Sequence, residues 1–108
     1  MSTRLARLAN SVAVPVASLP QLSLDELRGV VTDAPVRGLR VSALFGVPYD
    51  DQVAIFVVLA DDDEGMLECG WALVAGGAYP SVTPGCPEAH LFEREIAEQW
   101  GVTPTGHP

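Results

Sequence analysis

The chain has 108 residues and a formal net charge of −8, from fourteen acidic side chains against six arginines and no lysine. Its composition, 48% hydrophobic and 19% charged, argues for one folded domain with a modest core and against disorder. So few cations argue against a nucleic-acid partner or direct binding to an anionic membrane, and leave a protein partner or plain solubility.

Residues 1–22 show no sustained period and are expected to form an arm ahead of a domain at 23–108, with a short extended piece at Val12–Val16. Arg4 and Arg7 ahead of small apolar residues loosely resemble a secretory leader. Pro15 and Pro20 interrupt that run, which is also too short for a membrane span. The expectation is a cytoplasmic protein whose Cys69 and Cys86 are free thiols, reaching any membrane only through a partner. In "LSLDELRGVV", Ser23 is placed as an N-cap with Glu26 three residues on, the capping-box spacing. Leu24, Leu27, Val30 and Val31 then share one face of a short amphipathic helix.

Strands follow. Leu39, Val41, Ala43 and Phe45 alternate with polar positions, predicting a half-buried strand over 39–47. "PYDDQ" turns the chain. "VAIFVVL", 53–59, is nearly unbroken in apolar and β-branched residues, as a strand covered on both faces would be. Asp61–Gly65 crowds carboxylates on a glycine turn but lacks the alternate spacing of a calcium loop, so a solvated hairpin turn is expected. "MLECGWALVA" places Leu67, Cys69, Trp71 and Leu73 on one face of a third strand. A Gly/Pro loop leads to a closing helix with Pro87 at its first position. Ala89, Phe92, Ile96 and Trp100 form the buried stripe, and Gly101 is the stop. This order favours an α+β fold in two layers, a mixed or antiparallel sheet with helices packed on one face.

Three chemical readings compete for the closing segment. Cys86 and His90, four apart at a helix start, could make an activated thiol with Glu93 nearby, since helix N-termini lower thiol pKa values. No orienting Asn or Asp accompanies them. Cys69, Cys86, His90 and His107 supply four zinc-type ligands at spacings that match no zinc signature. Alternatively, the charges are contacts. Arg94 and Glu98 are spaced to pair across one helix turn, whereas Glu93 and Glu95 are the carboxylates placed to be partly buried or to face a partner.

"YPSVTPGCPEAHLFEREIAEQWGVTPTGHP", residues 79–108, resembles the signature of the respiratory complex I 30 kDa subunit family. The resemblance is carried by Ser81-Val82-Thr83, by Phe92-Glu93-Arg94-Glu95, by Gly101-Val102 and by Gly106-His107-Pro108. Leu91 and "AEQWG" depart from the complex I pattern and look closer to the N-terminal domain of membrane-bound, energy-converting [NiFe] hydrogenase large subunits. Relatives continue beyond the Gly-His-Pro, so a longer parent polypeptide is expected.

The resemblance implies a non-catalytic docking domain in a membrane-associated oxidoreductase of the NADH–quinone or hydrogenase type. It implies no cofactor in this chain, with iron–sulfur clusters and, in the hydrogenase branch, a nickel–iron centre carried by the parent assembly. Its partners would be other subunits, and its place cytoplasmic, peripheral to the inner membrane. The implied interface residues are Glu93, Arg94, Glu95, Gly101, Gly106, His107 and Pro108. A small cysteine-dependent enzyme and a stand-alone acidic adaptor are the alternatives.

Overall fold

The structure, a computed structural model, describes residues 5–9 and 18–108; the extended piece expected at Val12–Val16 lies outside them. Four strands run in the order β1-β5-β4-β3: β1 Ala6–Ala9, β3 Arg40–Tyr49, β4 Gln52–Asp61 and β5 Met66–Val74. They pair antiparallel, while the two-residue β2, Gln21–Leu22, joins β5 in parallel. The sheet is therefore mixed. Helices α1, Leu24–Asp33, and α2, His90–Trp100, both pack on one of its faces, as the apolar patterning requires.

The arm expected at 1–22 contributes β1 and β2 to the sheet. Its register is held by charge: Arg7 lies opposite Glu68 and bonds both Glu68 and Asp61, at 2.7 and 2.9 Å. Arg37 closes on Glu68 from the other side at 2.9 Å. Glu68, only 6% exposed, is thus neutralised by two guanidinium groups, as a nearly buried carboxylate must be. The Arg7 hydrogen bond holds the Asp61 carboxyl below the ordinary carboxylate range, and Arg40 does the same for Asp62. The acidic turn at 61–65 is therefore partly ion-paired.

Helix α1 begins with the full capping box, Ser23 accepting from the Glu26 N–H and Glu26 from the Ser23 N–H. Leu27, Val30 and Val31 are buried, and Leu24 packs at the margin of the core. In β3 the expected alternation fails halfway. A bulge between Val41 and Ala43 shifts the register, so Leu44 joins Leu39 and Val41 in the core and Phe45 moves to the opposite face. One extra residue reverses the parity of every side chain after it. The strand also runs on to Tyr49, and the turn is only Asp50-Asp51, with Asp50 at a φ of 51° that Asp tolerates.

Strand β4 is central. Ile55, Val57 and Leu59 face the helices at 0% exposure, while Ala54 and Phe56 are buried on the far face beside Trp71. The Gly/Pro loop contains β6, Ala78–Pro80, which pairs in parallel with β7, Thr103–Thr105, after α2. Patterning marks neither, because three-residue strands show no period. A 3₁₀ turn at Pro87–Ala89 precedes α2, and Gly101 closes it with φ 67° and its N–H on the Ala97 carbonyl. Trp100, expected in the buried stripe, is 37% exposed at the rim of the fold. It lies over Gly46, where a β-carbon would come within 2.6 Å of its indole.

Candidate functional site

Helix α2 divides the family-like residues between two environments. Glu93 sits on the apolar face with Ile96 and is 0% exposed. Leu91, Arg94, Glu95 and Glu98 lie on the outer face, with Leu91 70% exposed. A 3.6-residue period places 93 with 92 and 96, so a carboxylate there is driven into the core. It survives burial only if hydrogen-bonded.

The loop at 79–83 supplies those bonds. One Glu93 oxygen, Oε2, accepts from the Tyr79 hydroxyl at 2.7 Å and the Val82 N–H at 3.1 Å. The other, Oε1, accepts from the Ser81 and Thr83 hydroxyls, each at 2.5 Å, and from the Thr83 N–H at 3.1 Å. Ser81, Thr83 and Tyr79 are themselves almost fully buried. Burial alone would raise the pKa of Glu93. The donors from Ser81, Thr83, Tyr79 and Val82 outweigh it and hold the carboxylate ionised, below the usual glutamate value. Tyr79 moves the other way, its phenol held protonated by burial and by the Glu93 charge. The Ser-Val-Thr loop and the Glu of the Phe-Glu-Arg-Glu run are thus one hydrogen-bonded unit. Glu93, grouped with the interface residues from the sequence, is enclosed by its own chain.

The second cluster joins the chain's end to the start of α2. His107, after β7, stacks on His90 with ring centroids 4.8 Å apart, and His90 Nδ1 stands 3.2 Å from His107 Nε2. One nitrogen donates and the other accepts, so the contact ties the Gly-His-Pro segment to the helix. Gly106 has φ 78°, which glycine alone adopts freely.

The thiol and metal readings separate here. His90 faces His107, while Cys86 Sγ meets Glu88 Oε1 at 3.5 Å. Cys86 is 1% exposed, and burial together with the Glu88 charge pushes its pKa up, against the alternative in which a helix start activates it. That start is a 3₁₀ turn, with too few aligned peptide dipoles to offset burial. Of the four zinc-type residues, only the two histidines meet. Cys86 belongs to the core beneath the helices, and Cys69 lines the far side of the sheet. No cluster of three or more metal-type side chains occurs among the described residues.

Arg94 and Glu98 stand 3.9 Å apart with both side chains mostly exposed, too loose to matter for stability. With Leu91, Glu95 and Gln99 they line a shallow depression on the outer face of α2. Sequence reasoning did not single out Tyr79 as a partner of Glu93. The available signal was a carboxylate on the apolar face of a helix that follows hydroxyl residues at alternate positions 79, 81 and 83.

The two-layer α+β domain thus holds a saturated buried carboxylate on the inner side of α2 and presents an exposed, mixed face on the outer side. Residues 26–108 match the family described as respiratory-chain NADH dehydrogenase, 30 Kd subunit, and the chain belongs to that family. It is accordingly a relative of subunits of multisubunit oxidoreductases. The fold is shared with the solved trypsin-resistant fragment (1–134) of Nqo5 at a TM-score of 0.67 and 19% identity, covering 82% of this chain and 78% of that one. No curated protein sequence matches. No helix among the described residues is long and apolar enough to cross a membrane.

Proposed function

We propose that the chain is a docking domain in the peripheral part of a membrane-associated oxidoreductase, holding no cofactor of its own. It supports electron transfer by neighbouring subunits that carry iron–sulfur clusters, on the cytoplasmic side of the inner membrane. The observation that carries this reading is the outer face of α2. Leu91 stands 70% exposed among Arg94, Glu95 and Glu98, while Glu93 behind them locks the helix to its own loop. An exposed leucine ringed by charges on a rigid helix suits a modest protein interface, and Arg94 offers a planar fork for a partner carboxylate. The tethered Gly106-His107-Pro108 segment extends the same end of the domain. Within the family, Leu91 and the run Ala97-Glu98-Gln99-Trp100 support the hydrogenase-type branch, whose parent assembly holds a nickel–iron centre.

The test is assembly. Leu91→Asp and Arg94→Glu are surface changes that should leave the circular dichroism and melting of the purified chain intact. In the native host, native gel electrophoresis of solubilised membranes should show both variants failing to enter the high-mass complex. Normal incorporation of the double variant would remove this face from the interface.

A further inference from the structure

The sheet face turned away from the helices carries four rings in sequence. Phe45 stacks on Phe56 at 5.5 Å, Phe56 on Trp71 at 5.9 Å, and Trp71 meets Tyr49 at 5.4 Å. Phe45 and Tyr49, both on β3, are 42% and 47% exposed, with Val47 between them at 37%. They line an apolar groove of about 340 Å³. Among the described residues strand β3 pairs only with β4, and none from 40 to 49 makes a backbone hydrogen bond outside that ladder. A ten-residue strand with one free edge therefore runs beside an exposed aromatic surface. Such an edge is a template for an added strand, and natural chains seldom leave one bare.

Charge selects the occupant. Every arginine among the described residues lies against an acidic side chain: Arg7, Arg28, Arg37, Arg40 and Arg94. Asp50 and Asp51, exposed at the hairpin tip next to Tyr49, have no ion pair among the described residues. A second copy would bring another −8 to the same edge and be repelled. A cationic partner meets the opposite situation, with carboxylates at the tip and the π-faces of Tyr49 and Phe45 beside them.

We propose that the β3 edge docks an extended, arginine-bearing segment of a partner protein, its apolar side chains in the Phe45–Val47–Tyr49 groove and an arginine at the Asp50–Asp51 tip. This surface is separate from the outer face of α2, and the proposal does not depend on the assembly role given to that face.

The experiment is an NMR titration of the ¹⁵N-labelled chain with a synthetic eight-residue peptide alternating valine and arginine. A twin with glutamate for every arginine, and another with glycine for every valine, serve as controls. The valine–arginine peptide should shift amides between residues 40 and 52, the glutamate twin should not, and the glycine twin should bind distinctly more weakly. Asp50→Asn with Asp51→Asn should weaken binding about 3- to 10-fold, the range for two exposed charge pairs. Asparagine suits the left-handed backbone at 50, so the hairpin is kept. The proposal is overturned by equal binding of the glutamate twin, by shifts confined to other surfaces, or by no shifts at millimolar peptide. It is equally overturned if sedimentation shows a dimer of this chain and the β3 amides are the ones it protects.

Discussion

Replacing Glu93 by glutamine changes one oxygen to an NH₂ group and almost no volume, so its effect isolates the hydrogen-bond unit under α2. Oε2 accepts from the Val82 N–H and Oε1 from the Thr83 N–H. The hydroxyls of Tyr79, Ser81 and Thr83 can rotate to accept instead, but a backbone N–H cannot. Whichever way the glutamine is flipped, its NH₂ faces one of the two amides. Turned toward Val82, the NH₂ leaves that N–H without an acceptor; turned toward Thr83, it leaves that N–H only its second acceptor, Ser81 Oγ at 3.2 Å, and either way the remaining bonds lose their charge assistance. The flip toward Thr83 avoids an orphaned donor, so the cost is one weakened amide bond and the lost charge assistance of the others, and a loss of about 2 kcal/mol is expected. Against a total of about 5–15 kcal/mol for a domain, that is a large fraction. Urea unfolding at neutral pH, followed by tryptophan fluorescence, reads it as a lower midpoint with an unchanged slope. Glu93 also has a lowered folded-state pKa. Its stabilisation is therefore complete above the ordinary glutamate value of about 4.3 and is lost as pH falls through the depressed folded value. The wild-type chain should lose stability over that acid range more steeply than Glu93→Gln, so the two should converge. If the variant lies within about 0.5 kcal/mol of wild type at neutral pH, the anchor role assigned to Glu93 is wrong.

Gly46→Val should displace the Trp100 indole and cost about 1–3 kcal/mol, seen as a changed tryptophan emission and a lower melting temperature. Neither Cys69 nor Cys86 should react with a disulfide reagent near neutral pH as fast as a free cysteine, since both are buried with raised pKa values; both should react in guanidinium. Gly101→Val places a β-branched residue at φ 67° and should destabilise by about 1–2 kcal/mol in thermal unfolding, fraying the end of α2 first.

What the sequence by itself determined is whatever depends on neighbours a few residues away. The capping box at Ser23, the β4–β5 hairpin, the Gly101 stop and the two-layer α+β class all follow from short-range periodicity and backbone preference. The ordered motif at 79–108 carried the family, because several residues in a set spacing outweigh any one of them. Tertiary structure decided the rest. The bulge after Val41 reversed Phe45 onto the open face, and nothing local in "RVSALFG" marks where an extra residue is accommodated. Trp100 belongs by period to the buried stripe, yet the last turn of α2 sets its ring over Gly46 at the rim, where it stays 37% exposed. The partners of Glu93, the stacking of His90 on His107 and the doubled arginine grip on Glu68 join residues 10 to 61 positions apart. Such contacts depend on which loops the packed sheet brings together, which no periodicity encodes. The Glu-Arg-Glu run shows the division most clearly. Its spacing puts Glu93 beside the apolar stripe, partly buried or facing a partner, and only the fold decided for burial by supplying five donors.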